Sequence, residues 1–470
     1  MTAPPVQEGS PRAAALQRKQ DLLRSLRLST ASGLLSSPLI TMALPASLLL
    51  TALVTKVFPL SKTMIGVFFA LPFVANFLQI VLVPLLSHWK TPKVITVSTA
   101  GFQMILWGAL GLLLPCIPRQ GSAPVAWLLP WYLLSSLFYA ICAVTWNSWV
   151  QEWVPSRIRG NYFGRRNGIQ QITAFASLLA TGWLLAHSDY RLAVFQAIIL
   201  GAVFLRVFSL HCQWVSPTPD KPLPPQRPPL ASQVRELVAS PSLLLFIAYG
   251  SLWSFAVYCF GPFYQVFMFE PLGFSAWDIG LVLTLAQLGG VLSLPAWGRL
   301  IDRHGNKSVM VVSLVLWQAQ NLLWCFLTPH NRYLLYPMWA WNGATSAGFV
   351  LGQFTLLLKL IPPGAKDLAI GFNLAATSIF AAVAPVAGGW LLGRALDRGH
   401  DVFAVYHACF LLQPVLTLSG AFLLLRIREP AASPFSMVVG AMRNARTLSG
   451  VLGLSFLVEW MFFRKEKRRS

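Results

Sequence analysis

Apolar runs of about 20 residues recur along nearly the whole chain, and they constrain the fold more than any other sequence feature. A helix of that length spans the hydrocarbon core of a bilayer. Between charged or Pro- and Gly-rich breaks there are about twelve such segments. They cover residues 29–54, 64–87, 94–115, 125–150, 168–187, 191–212, 242–268, 277–301, 308–328, 333–358, 368–393 and 402–426. The sequence therefore predicts an all-α membrane protein with about twelve transmembrane helices.

The composition excludes a soluble protein. Only 11% of the 470 residues are charged and 56% are hydrophobic, whereas soluble chains carry about a quarter charged residues. The net charge of +21 is spread over the tails and loops without a basic, aromatic-interleaved module, which argues against a nucleic-acid partner. The six cysteines lie far apart and show no CxxC or Cys/His spacing, so we expect neither a metal site nor a cofactor.

Basic residues are distributed unequally between the two sides of the predicted bundle. Of the 36 Lys and Arg residues, 28 lie in the two tails and the even-numbered connections, and only 7 lie in the odd-numbered connections. Basic loops stay on the cytoplasmic side of a membrane. We therefore expect both termini to be cytoplasmic and the protein to reside in the plasma (cell inner) membrane.

Changes in composition divide the chain into five regions. A basic cytoplasmic N-terminal tail at 1–28 precedes a first bundle of six segments at 29–212. Prolines crowd the cytoplasmic connector at 213–241 and favour a semi-extended, non-helical linker there. A second bundle of six segments follows at 242–426, and a cytoplasmic tail covers 427–470.

The tail contains one further apolar stretch, at 448–463, which a basic cluster follows. A thirteenth span here would be short and would place that cluster on the outer side. We interpret the stretch as an interfacial helix, with Trp460, Phe462 and Phe463 at the level of the lipid headgroups.

The two bundles repeat a local pattern at an offset of 207 residues. After the fourth and the tenth segments, an aliphatic residue and a proline are followed by a base five positions on and a glycine ten positions on. The residues are Val154, Pro155, Arg159 and Gly164 in the first copy, and Ile361, Pro362, Lys366 and Gly371 in the second. Duplication of a six-helix unit is typical of transporters.

The loop between the eighth and ninth segments carries a recognisable motif, G-x-x-x-D-[RK]-x-G-[RK]-[RK]. The matching residues are Gly298, Asp302, Arg303, Gly305 and Lys307, and Asn306 is the departure. This loop resembles the signature loop of the major facilitator superfamily. The resemblance covers about residues 29–426 and implies two six-helix bundles. On physical grounds, Gly298 allows close helix approach and Gly305 a tight turn.

In that family the loop resembles a latch that holds the cytoplasmic side closed. The resemblance implies that Asp302 pairs with the start of the fifth segment, which carries Arg159, Arg165 and Arg166. A carboxylate there can accept hydrogen bonds from arginine or from a helix N-terminus. Simple solvation of each charge is the alternative.

The equivalent loop of the first half departs from the motif. Pro84, His88 and Thr91 replace the first glycine, the aspartate and the second glycine, whereas Lys93 is kept. The expected partner, the eleventh segment, begins with Asp367. We therefore expect a charge-swapped second latch, with the base in the loop and the acid on the helix.

Charged side chains are scarce within the segments. None of the fifteen acidic residues lies near the middle of a segment, so no buried carboxylate carrier for a coupling ion, proton or sodium, is visible. Arg206 is the one base well inside a segment, and we expect it to extend towards the cytoplasm. The alternative is that Arg206 binds an anionic substrate.

Amides, hydroxyls and aromatic faces remain to build a substrate site. In the family the cavity resembles a midplane pocket that excludes the peripheral ninth segment. The candidate substrate-binding residues are Thr41, Asn76, Asn147, Tyr258, Gln287 and Asn342. For each of them, an interhelical hydrogen bond that only packs the bundle is the alternative.

The sequence thus predicts a secondary active or facilitative transporter that moves a small solute by alternating access. Amides and aromatic rings slightly favour a sugar-like or other neutral polar solute. Efflux of lipophilic compounds, or a non-transporting assembly or sensor role on the same fold, are the alternatives. No Walker loop, HExxH or GxSxG motif is present, so we do not expect an enzyme.

Overall fold

The computed structural model describes residues 11–87, 90–119, 121–217, 229–429 and 433–452. Within them, twelve helical segments are long and apolar enough to cross a membrane, which confirms the predicted all-α fold. The helices are α1 (Pro11–Ala43), α2 (Leu48–Ala52), α3 (Lys62–Ser87), α4 (Pro92–Leu113), α5 (Ala123–Trp153), α6 (Ser156–His187), α7 (Leu192–Val215), α8 (Leu230–Val238), α9 (Pro241–Phe260), α10 (Phe263–Phe269), α11 (Ala276–His304), α12 (Asn306–Asn321), α13 (Leu335–Leu360), α14 (Lys366–Asp397), α15 (Val402–Arg426), α16 (Phe435–Met442) and α17 (Ala445–Val451).

The first and seventh spans are broken helices, and the other spans are continuous apart from short 3-10 turns. The first span joins α1, α2 and one π-helical turn at Leu53–Val57, and the seventh joins α9 and α10. Both breaks lie at the same end of the bundle. We call this end the loop side, which holds the connections near 58–61, 188–191 and 398–401. The opposite end, where α1 begins and α15 ends, is the tail side.

Several helix ends differ from the sequence prediction. Helix α1 is already helical from Pro11, and α6 begins at Ser156 rather than at 168. Hydropathy predicts only the part of a helix that lies in the hydrocarbon core, which is about 30 Å thick. A helix of about 30 residues is about 45 Å long, so its polar end extends into water. The connector was also wrongly predicted as wholly non-helical. Residues 230–238, which lack proline, form α8 directly after Pro229.

Most of the predicted interfacial helix lies outside the described residues. Its first residues, 448–451, belong to α17, which packs on α11. Val451 is buried in a small apolar cluster with Trp297 and Val438. This part of the tail therefore lies against the second half of the chain.

Each half forms its own helical bundle. In the first half, α1 packs on α6 and α7, and α5 packs on α3 and α4. In the second half, α13 packs on α11 and α12, and α9 packs on α14 and α15. Small residues allow the closest approach, since a Cβ built on Gly343 of α13 would overlap the carbonyl oxygen of Ala286 in α11.

A buried carboxylate holds the tail-side end of the second half together. Gly305 alone links α11 to α12 and adopts a φ of 84°, the left-handed region that favours glycine. The side chain of Glu429 accepts hydrogen bonds from the backbone N–H groups of Asn306 (3.1 Å) and Lys307 (2.8 Å) at the start of α12. It also accepts from Asn306 Nδ2 (2.8 Å) and Lys359 Nζ (3.1 Å). Burial alone would raise the pKa of Glu429, but these hydrogen bonds outweigh it and lower the pKa below its ordinary value.

We expect Glu429→Gln to lower the free energy of unfolding by about 1–3 kcal/mol, because the amide brings an N–H group to a site lined by donors. The pKa of Glu429 is lower in the folded than in the unfolded chain. Its stabilisation is therefore present above the ordinary carboxyl pKa and is lost as pH falls through the folded-state value.

Melting temperatures of the detergent-solubilised protein between neutral pH and about pH 3 test this. The variant should lose less stability than the wild type on acidification. Asp397→Asn, at an exposed position without a hydrogen bond or ion pair to the described residues, is the matched control. Identical pH profiles for Glu429→Gln and the wild type would contradict the role of this carboxylate.

Candidate functional site

The two halves of the chain meet on the loop side. Helix α3 packs on α14, and α6 packs on α11. Lys62 forms an ion pair with Glu270, and Gln265 Nε2 donates to the carbonyl oxygen of Ala46 at 2.5 Å. One apolar cluster of buried residues includes Phe58 from the first half and Phe267 from the second. The loop side is therefore closed.

Close backbone packing completes this closure. A Cβ built on Gly66 of α3 would overlap the carbonyl oxygen of Pro385 in α14. A Cβ built on Gly182 of α6 would lie 2.7 Å from the carbonyl oxygen of Ala276 in α11. The backbone N–H of Ala276 also donates to the hydroxyl of Tyr190 at 3.0 Å.

Near the middle of the membrane, the closure ends at a pair of amides. Gln171 Nε2 of α6 donates to Gln287 Oε1 of α11 at 2.5 Å. Beyond this pair, towards the tail side, no hydrogen bond or ion pair joins the halves among the described residues. No heavy atom lies within 4 Å of a Cβ built on Gly164 or Gly168, which share the face of α6 with Gln171, or on Gly298 of α11. These faces are not packed on each other, so the space between the halves opens to the tail side, with the two glutamines at its inner end.

A cavity of about 340 Å³ lies inside the first half, on the tail side of this amide pair. Helices α1, α5, α6 and α7 line it. Its residues are Ser36, Ile40, Tyr139, Cys142, Ala143, Trp146, Asn147, Phe163, Arg166, Asn167, Gln170, Arg206 and Gln213.

Arg166 is buried in the wall of this cavity instead of pointing towards the second half. Its guanidinium lies 4.3 Å from the centre of the Trp146 ring. Nη1 donates to Gln170 Oε1 at 2.8 Å, and Nε donates to the carbonyl oxygen of Ser29 at 3.3 Å. Arg166 is therefore fixed by α1, α5 and α6 of its own half.

Arg206 is also buried in the wall of the cavity, and the prediction that its side chain extends to the cytoplasmic membrane surface was wrong. Only 3% of the residue is exposed, and Nη1 donates to Ser209 Oγ at 3.4 Å. The reason is its position on α7, because Ala202, Arg206, Ser209 and Gln213 form one buried stripe at helical spacing. Following this period along the sequence identifies Arg206 as inward-facing.

The predicted substrate residues lie in different places. Asn147 lines the cavity in the first half, and Gln287 forms half of the amide pair. Tyr258 packs on Phe73 across the interface between the halves, with ring centres 4.4 Å apart. These three lie on or near the space between the halves.

The other three predicted residues make hydrogen bonds within their own half. Thr41 Oγ1 donates to the carbonyl oxygen of Ser37 at 2.8 Å. Asn76 Oδ1 accepts from Gln79 Nε2 at 3.4 Å. Asn342 Nδ2 donates to Gln320 Oε1 of the peripheral α12 at 3.0 Å, which is the packing role given above as the alternative.

The residues of the first predicted latch do not meet in this structure. Asp302 and Arg303 are exposed, and Asp302 has no ion pair with the described residues. Arg159 Nη2 donates to the carbonyl oxygens of Gln151 (2.8 Å) and Val154 (3.0 Å) at the end of α5. Arg165 is exposed.

Gly298 and Lys307 of the motif make no hydrogen bond to the first half among the described residues. No heavy atom lies within 4 Å of a Cβ built on Gly298, so the predicted close helix approach is absent here. Lys307 Nζ donates to the carbonyl oxygens of Leu425 (2.5 Å) and Ile427 (2.9 Å) at the end of α15.

For the second predicted latch, only one member has a described side chain. Lys93 Nζ donates to the carbonyl oxygen of Ser216 at 2.8 Å. His88 and the side chain of Asp367 lie outside the described residues.

Comparison with known proteins agrees with this architecture. The family model of the Major Facilitator Superfamily matches residues 28–258 and 250–468. An MFS-type efflux pump of Mycolicibacterium smegmatis is 26% identical over 259 residues, which are 53% of this chain and 59% of the pump. A benzoate transport protein of Acinetobacter baylyi is 26% identical over 149 residues, 32% of this chain and 31% of that protein. The chain thus spans less than two thirds of the length of these relatives.

Solved structures show the same fold. A mutant of the nucleoside transporter NupG superposes with a TM-score of 0.68 at 16% sequence identity, covering 86% of this chain and 100% of that one. The family match covers almost the whole chain. It agrees with the twelve helices that are long and apolar enough to span a membrane and with their arrangement in two bundles. The chain belongs to the Major Facilitator Superfamily of membrane transporters.

Proposed function

We propose that this protein moves a small polar solute across the bilayer by alternating access. The observation that carries this proposal is the asymmetry of the interface between the halves. The halves are tightly packed on the loop side and separated on the tail side, with Gln171 and Gln287 at the inner end of the opening. Rocking of the halves about this level would expose the space to each side in turn.

The polar residues at the opening favour a polar solute over a lipophilic one. Gln171, Gln287, Asn147 and Asn167 supply amides, and the cavity in the first half adds two guanidinium groups. A slight preference for a neutral sugar-like solute rests on the lack of charge inside the segments. Arg166 and Arg206 weaken that reason.

The orientation also belongs to this proposal. The excess of basic residues on the tail side supports a cytoplasmic tail side. The opening would then face the cytoplasm, and the closed loop side would face outwards.

Transport is tested by uptake of labelled glucose, uridine and benzoate into proteoliposomes. Lys62→Cys with Glu270→Cys, in a background without the six native cysteines, allows the loop side to be cross-linked by a short bis-maleimide. We expect cross-linking to abolish the uptake of every transported probe, because the loop side then stays closed. Each single-cysteine variant treated in the same way is the control. Uptake that persists in the cross-linked protein would contradict alternating access.

The closed loop side should be sensitive to one methyl group. Gly66→Ala places a Cβ against the Pro385 carbonyl, and neither backbone gives way without separation of α3 from α14. We expect this variant to shift the population towards a closed tail side. Gly101→Ala is the matched control, because no heavy atom lies within 4 Å of a Cβ at Gly101.

Spin-label distances measure this shift. Labels at the exposed positions Gln151 and Arg299, introduced as Gln151→Cys and Arg299→Cys, report the distance between the halves on the tail side. Gly66→Ala should add a population of shorter distances. An unchanged distribution would show that the Gly66–Pro385 contact does not control the closure.

The latch is tested with the same labels. We propose that Asp302 pairs with Arg159 or Arg165 only when the tail side is closed. In the Gly66→Ala background, Asp302→Asn should therefore restore the longer distances. A partly exposed charge pair contributes about 1 kcal/mol, which is roughly a fivefold change in the ratio of the two states. Asp397→Asn is the control, and an equal effect of both variants would contradict the proposed latch.

A further inference from the structure

The cavity in the first half contains two arginines without an acidic partner. Arg166 is 7% and Arg206 is 3% exposed. Among the described residues, no carboxylate lies within 4.0 Å of either guanidinium, since the two ion pairs found there are Lys62–Glu270 and Lys359–Glu429. None of the residues that line the cavity is acidic.

Such an arrangement is costly for a protein that holds nothing in the cavity. A guanidinium cannot lose its proton at physiological pH, so burial leaves its charge in place. Buried charges are otherwise paired with an opposite charge. Arg206 Nε and Gln213 Oε1 are moreover buried without a hydrogen-bond partner among the described residues.

We propose that this cavity binds a small organic anion, and that the anionic group lies between Arg166 and Arg206. This proposal rests on the transport function proposed above and names the class of its solute. The guanidinium groups bind carboxylates and phosphates alike through paired hydrogen bonds. The amide of Asn147 supplies a further polar group, and the Trp146 ring supplies an apolar wall.

The cavity has the size and the access that a solute requires. Its volume of about 340 Å³ lies at the small end of ligand pockets, which run from roughly 300 to 1,000 Å³. Asn167 is exposed and lines the cavity. Asn167 lies four residues before Gln171 and therefore on the same face of α6. Gln171 bonds to Gln287 of the second half. The cavity therefore opens towards the space between the halves on the tail side.

The test measures thermal stability of the purified full-length protein with four probes. Benzoate and phenyl phosphate represent the two anionic groups, inorganic phosphate tests the anionic group alone, and benzamide is the neutral analogue of benzoate. Size-exclusion chromatography of heated samples gives the melting temperature. We expect at least one organic anion to raise it in a saturable manner, and benzamide to leave it unchanged. A shift by benzoate alone indicates that the anionic group of the solute is a carboxylate, and a shift by phenyl phosphate alone indicates a phosphate ester.

Arg206→Met separates a ligand-binding arginine from a structural one. Removal of an uncompensated charge should raise the melting temperature without ligand and abolish the shift caused by the anion. Arg157→Gln, on the exposed tail-side end of α6, should keep the shift of the wild type. If Arg206→Met yields no folded protein, Arg166→Gln provides the same comparison.

Several results overturn the proposal. They are an equal shift by benzamide, a shift by inorganic phosphate alone, no shift by any of the anions, or an anion-dependent shift that survives in Arg206→Met. Spin-label distances separate this failure from failure of the transport proposal. If Gly66→Ala still closes the tail side, alternating access stands without the anion.

Discussion

The absence of water from the bilayer core is the constraint on which the rest of this structure depends. Every backbone N–H and C=O group there must find its partner within the chain, so each span is a helix. The same constraint acts on side chains. The amide of Asn342 bonds to Gln320, and the hydroxyl of Thr41 bonds back to its own helix. Against this background, the clearest departure in the first half is two buried guanidinium groups that have no carboxylate partner among the described residues.

The sequence predicted the number of spans and the family because both depend on average hydropathy and on one short motif. It failed at the polar helix ends. The first turns of α6 and the residues 11–28 of α1 are helical although they are not apolar, since nothing requires a helix to end at the membrane surface. Residues 230–238 are a second example, because they form α8 within a connector whose prolines predict a non-helical linker.

The candidate site was harder to predict, because depth in the membrane was known but the facing of each helix was not. Polarity at plausible depth predicts Gln287 and Asn147 as substrate residues, and both lie on the space between the halves or in the adjoining cavity. The same criterion predicts Asn342, whose side chain instead bonds to Gln320 of the peripheral α12. The preference of arginine for the membrane surface wrongly predicts the position of Arg206, whereas the helical period of the buried residues of α7 predicts that it faces inwards. The latch stays a prediction, because its residues do not meet in the one conformation that this structure describes.

All the residues that line the cavity with Arg166 and Arg206 belong to the first half of the chain. A solute bound by one half alone makes the same contacts whether the tail side is open or closed. It then binds both states with equal affinity, and such a ligand does not shift the equilibrium between them. A bias would need a group that contacts both the solute and the second half. Gln171 bonds to Gln287 of the second half, but it does not line the cavity.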